Sequence, residues 1–179
     1  QQQRSMSAFL AEYDAHVEER KAMANGFGIA PKPLDADQTS RLIDELKEGS
    51  NDRLKELLIH RIPPGVDEAA YVKATWLSAL AKGTETNESI SRELAVELLG
   101  TMQGGYNVGT LVDILKDDKE PELAMLAAKQ LSHTLLVFDA FHDIAAAASS
   151  GNDAAQTVME SWASAEWYLS KPEVPETMS

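Results

Sequence analysis

Apolar residues recur at helical spacing along almost the whole chain, and chain breakers interrupt them every ten to twenty residues or so. Ile90, Leu94, Leu98 and Met102 step by four, while Val108, Leu111, Val112 and Leu115 follow the i, i+3, i+4, i+7 pattern that lines one face of a helix. Nowhere does a convincing alternation of apolar and polar residues suggest a strand. A sequence of short amphipathic helices joined by tight connections must stack helix against helix, so the fold class is all-α. Paired antiparallel helices piling into a HEAT-like superhelix (an α-solenoid) are the favoured arrangement, with a globular bundle as the alternative.

Eight or nine helices are expected. The first runs from about Ser7 to Ala22, with Phe9, Leu10, Tyr13 and Val17 as its stripe, and ends in the breaker-rich loop 25–33. Asp35 with Gln38 three residues later resembles a capping box opening a second helix that closes at Gly49. A third spans about Asn51 to Arg61 and stops at Pro63-Pro64-Gly65. Asp67 caps the fourth, and Val66 is placed to pack on Tyr71 as a hydrophobic staple; Trp76 lies in its stripe. The fifth is expected from about Asn87 to Gln103, the sixth after Asn107 as a natural cap, and the seventh from Pro121 at its first turn. An eighth spans about Leu135 to Ser149, and the last runs from Asn152 to Leu169. Residues 1–5 lack periodicity and read as a cloning remnant before Met6; residues 6–170 form the helical domain, and 171–179, with two prolines, read as a linker.

Lys plus Arg number 16 against 29 Asp plus Glu, a net charge of −13, which argues against a surface that tracks nucleic-acid phosphates. With no cysteine there is no disulfide, no thiol nucleophile and no cysteine-held metal or iron–sulfur centre in this chain. No apolar run approaches the length of a membrane span. His16, His60, His133 and His142 form no HExxH pattern. Asp139, His142 and Asp143 share one helical face and invite comparison with a metal site, but a solvated acidic face accounts for them more simply.

The string Gly100-Thr101-Met102-Gln103-Gly104-Gly105-Tyr106-Asn107 is the most unusual. Free amides at the next helix start could hold an anion; a helix–turn–helix corner with Asn107 as cap explains the string better, since no strand or Walker lysine accompanies it. Trp76 and Trp162 read as core, whereas Trp167 and Tyr168 could cover a seam to a following domain or partner. Between Lys129 and Lys171 there is no Lys or Arg, yet there are five acids, so that stretch suits solubility or a basic partner surface. No nucleophile–base–orienter set emerges. The candidate interface residues are Gly104, Gly105, Tyr106, Asn107, Trp167 and Tyr168.

Several long strings together resemble the N-terminal region of bacterial aconitase B. They are Gly28-Ile29-Ala30-Pro31-Lys32-Pro33-Leu34-Asp35-Ala36, the stretch from Arg61-Ile62-Pro63-Pro64-Gly65-Val66-Asp67 to Ala74, and Glu97-Leu98-Leu99-Gly100 through Asn107. Leu131-Ser132-His133-Thr134-Leu135-Leu136 and Ser161-Trp162-Ala163-Ser164-Ala165-Glu166-Trp167 extend the likeness, which runs from about Phe9 to Pro172. The resemblance implies a HEAT-like domain at the front of a larger cytoplasmic enzyme that interconverts citrate and isocitrate through cis-aconitate in the tricarboxylic acid cycle, some members also hydrating 2-methyl-cis-aconitate. It implies a [4Fe–4S] cluster in the full-length protein, held by cysteines that this chain lacks, so no cluster ligand, catalytic residue or substrate-binding residue is assigned here and no cofactor is expected in the fragment. Residues 171–179 would lead toward the catalytic domains. The family associates this region with homodimer formation, contacts with other proteins and the route to the active site; RNA binding is described for the whole protein without its cluster. The expectation is a non-catalytic interaction and dimerisation domain, with an RNA-binding regulatory module or a free-standing acidic adaptor as alternatives.

Overall fold

A side chain that satisfies the first free amides of a helix fixes where that helix begins. The computed structural model, which describes residues 7–24, 26–117, 119–134 and 140–165, shows such caps at most helix starts. Among the described residues there are nine helices and no strand: α1 (Ala8–Ala22), α2 (Ala36–Glu48), α3 (Asp52–His60), α4 (Glu68–Ala81), α5 (Arg92–Gly100), α6 (Val108–Leu115), α7 (Pro121–Leu131), α8 (Phe141–Ser149) and α9 (Asp153–Ala163). Asp35 and Gln38 form the complete capping box, Asn51 accepts from Arg53 and Leu54, Asp67 from Ala70, and Asn152 from Ala155. Pro121 opens α7 as expected.

Three expected boundaries change. The fifth helix begins at Arg92, because Ser91 caps it through Leu94 N–H at 3.1 Å, while Asn87 is recruited elsewhere. Its Nδ2 donates to Leu46 O at 2.8 Å, tying off the C-terminal end of α2, and its Oδ1 accepts from Ser89 N–H. The same helix ends at Gly100 rather than Gln103. The ninth helix ends at Ala163, short of the expected Leu169, with Ser164 as its cap; the eighth is described from Phe141, and residues 135–139 and 166–169 lie outside the described residues. The staple also fails to close: Val66 stays 71% exposed, and Tyr71 finds a different aromatic partner.

Packing joins both consecutive and alternate helices. α2 meets α3 and α4, α4 meets α5, α5 meets α7, α6 meets α7, and α7 and α8 both meet α9. This stacking of helix upon helix is compatible with the expected HEAT-like superhelix. The core is continuous, with Leu42, Leu46, Leu54, Leu58, Leu77, Leu80, Leu99, Leu111, Leu115 and Leu131 fully enclosed. Buried alanines at 69, 70, 74, 81, 95, 124, 127 and 128 leave α4, α5 and α7 little side-chain bulk between them. Trp76 is core as expected, its indole N–H donating to Glu85 at 3.0 Å.

Polar locks hold both edges of the stack. At one edge Arg92 donates from Nε to Ala81 O at 3.1 Å and forks onto Glu120 at 2.6 and 2.7 Å, joining the end of α4 to the starts of α5 and α7. This guanidinium holds the Glu120 carboxyl below its usual range. At the opposite edge the 61–67 and 101–107 connections touch through their backbones. Gln103 N–H donates to Pro64 O at 2.7 Å, and a Cβ on Gly104 would lie 2.0 Å from Gly65 O.

One charge sits inside. Lys73 on α4 is 4% exposed, with its ammonium 3.4 Å from Ile59 O near the end of α3. Desolvation lowers its pKa to about 8 from an ordinary 10.5.

Two predictions follow from this packing. Gly104→Ala is expected to destabilise by about 3 kcal/mol, since backbone must move to admit the methyl group. Gly109→Ala, in open space in the first turn of α6, is expected to stabilise by about 0.5 kcal/mol; urea unfolding of the two variants reads both signs. Lys73→Met is expected to stabilise by roughly 2 kcal/mol at pH 7, where the folded chain holds a buried charge that water solvates in the unfolded one. Between pH 8 and 10.5 the unfolded state binds more protons at Lys73 than the folded state, so wild-type stability rises there and the gap to Lys73→Met closes. Urea melts at pH 7 and pH 9.5 check this; a gap that does not narrow contradicts it.

Candidate functional site

The paired connections at the second edge carry the residues that the sequence singles out. Gly105 turns the chain with φ +88°, a conformation that side chains resist, and delivers Tyr106 to the surface. Asn107 occupies the N-cap position of α6 but makes no cap there. Its side chain is fully buried and turns backward, with Nδ2 donating to Leu99 O at 2.7 Å and Met102 O at 3.2 Å. The expected cap is therefore corrected: Asn107 closes the end of α5, adding a buried side-chain donor to the carbonyls of its last turn and exit.

Tyr106 bridges the two connections. Its hydroxyl donates to Val66 O at 2.9 Å, and its ring meets Tyr71 edge to face with centroids 5.3 Å apart. Tyr71 is 56% exposed and Tyr106 39%. Together with Val66 they form an apolar surface held in place by the backbone contact of Gly104 with Gly65. The Gly65 carbonyl takes the space beside Gly104, and its partial negative charge opposes an anion there, which favours the corner reading over the anion site. Such a surface offers rigid aromatic area and no group to move a proton or attack a carbon.

The other candidates disperse. His16 Nε2 accepts a long contact from Lys32 N–H at 3.3 Å, and His60 lies 3.2 Å from Glu56 on its own helix. His142 packs edge-on against Phe141, Asp143 lies 3.7 Å from Lys116, and Asp139 is outside the described residues. Trp162 is half-buried and stacks on Phe141 at 6.0 Å; Phe141, 42% exposed, belongs to a second aromatic surface that its own sequence context does not flag. Trp167 and Tyr168 lie outside the described residues. Carboxylates with lowered pKa, Glu12, Asp14 and Glu120, each face one arginine in a structural pair. Glu93 is lowered by hydrogen bonds at its own helix start.

Among the described residues no group of three or more His, Asp or Glu side chains could hold a metal ion. An iron–sulfur cluster has no fit here, since the chain contains no cysteine thiolate to ligate it. No described helix is long and apolar enough to cross a membrane.

Comparison with known proteins places these features in a family. The family model for the aconitate B N-terminal domain matches residues 12–168. Aconitate hydratase B of Pseudomonas aeruginosa is 54% identical over 173 residues, covering 95% of this chain and 19% of its relative. The proteins of that name from Salmonella typhimurium and Escherichia coli are 54% and 53% identical over the same coverage. The chain thus spans about one fifth of the length of the relatives it matches. This all-helical stack, matched by the family model over nearly its whole length, belongs to the aconitase B N-terminal domain family.

Proposed function

We propose that this chain is a non-catalytic interaction and dimerisation domain that also shapes access to the active site of a longer aconitate hydratase B, a cytoplasmic hydro-lyase interconverting citrate and isocitrate through cis-aconitate with a [4Fe–4S] cluster held elsewhere. The observation that carries the reading is the Tyr71–Tyr106 pair, large apolar side chains left in water yet fixed by backbone contacts beneath them. Aromatic anchors that are already ordered lose little entropy on binding, which is the economy that interface centres favour. A net charge of −13 and the acid-only stretch between Lys129 and Lys171 favour protein partners over RNA for this part of the molecule.

Sedimentation equilibrium of the 19.5 kDa chain is expected to give a mass near twice that value. Replacing the exposed rings, Tyr71→Ser with Tyr106→Ser, is expected to weaken self-association by about 10-fold or more, the loss of a typical interface anchor. A wild-type chain that stays monomeric over the whole concentration range overturns the dimerisation reading. The chain treated with ferrous iron and sulfide is expected to show no citrate–isocitrate turnover, and measurable turnover overturns the non-catalytic reading.

A further inference from the structure

The first helix is attached to the rest of the molecule by different means from the others. α4 buries eight of its fourteen residues, whereas α1 buries three of fifteen: Phe9, Leu10 and Tyr13, all within its first two turns. Among helix pairs, its packing is confined chiefly to α2. From Asp14 to Ala22 no side chain is buried.

Charged groups take over where apolar contact is thin. Glu45 of α2 reaches across to the start of α1, accepting from Phe9 N–H at 2.8 Å and from the Ser7 hydroxyl, so a carboxylate sits on the positive end of that helix. Arg41 of α2 forks onto Glu12 at 3.2 and 2.6 Å and lies 5.9 Å over the Phe9 ring. Arg53 of α3 forks onto Asp14 at 3.0 and 2.6 Å. Arg20 donates to Ala30 O at 3.0 Å and so fastens the end of α1 to its own following loop, which Arg61 in turn holds through Pro31 O and Lys32 O. All the arginine–carboxylate pairs at this seam are half open to water.

We propose that α1 is an electrostatic latch: a helix held on the α2–α3 layer by the Glu45, Glu12–Arg41 and Asp14–Arg53 links, which opens as a unit while α2 to α9 remain folded. This helix is fastened by charge, so ionic conditions set how tightly it closes, and the rest of the stack is governed by buried area.

Hydrogen–deuterium exchange on the whole chain tests this. Raising sodium chloride from 0.05 M to about 1 M shortens the screening length to ~3 Å, and is expected to speed exchange of α1 amides by roughly 10-fold, leaving α4 and α5 unchanged. Arg41→Gln with Arg53→Gln is expected to do the same at low salt, with α4 and α5 protection showing that the variant is folded. Exchanging the charges, Glu12→Arg with Arg41→Glu, is expected to restore protection relative to Arg41→Glu alone. If α1 amides are indifferent to both salt and neutralisation, or if α1, α4 and α5 speed up together, the latch is wrong.

Discussion

Helices of eight to fifteen residues are marginal in water, because nucleating the first turn costs more than a few further hydrogen bonds return. Every described helix is of that length, so each depends on burying its apolar stripe against a neighbour. The leucines that run through α2, α3, α4, α5, α6 and α7 supply that burial, and the alanines between them set how near the helices come. Removal of one stripe would leave two flanking helices without a partner face, which makes the stack cooperative along its middle and weakest at its ends.

Local chemistry was readable directly from the residues. Caps at Asp35, Asn51, Asp67 and Asn152 involve groups within three positions of one another, so the chain segment alone determines them. The stop at Pro63-Pro64-Gly65 follows from backbone sterics. Asn87 and Asn107 escape this local reading for a common reason. Each has a nearby helix it could cap, yet each spends its amide on carbonyls at the end of another helix, and no local pattern announces that choice. Gly104 is similar: its turn chemistry is visible, but the carbonyl of Gly65 pressed against it belongs to a connection two helices earlier.

The candidate surface was legible only in part. Gly104, Gly105 and Tyr106 stood out as an unusual string, whereas Tyr71 looked like the far side of a staple, and nothing in its neighbourhood pointed to a ring partner on another connection. Phe141 likewise gains its meaning from Trp162, a residue on the next helix. Strings shared with a family locate a region well; they do not say which side chains in it touch.

Gly104 against Gly65 has a consequence for how such a domain changes over time. The closest approach of these two connections is main chain resting on main chain, with the Tyr106 hydroxyl bonded across beside it. Residues projecting outward from this edge can therefore be exchanged without altering the pitch of the helices beneath. The same rigid mount can display different recognition surfaces in different lineages, so divergence in partner choice need not disturb the architecture that presents it.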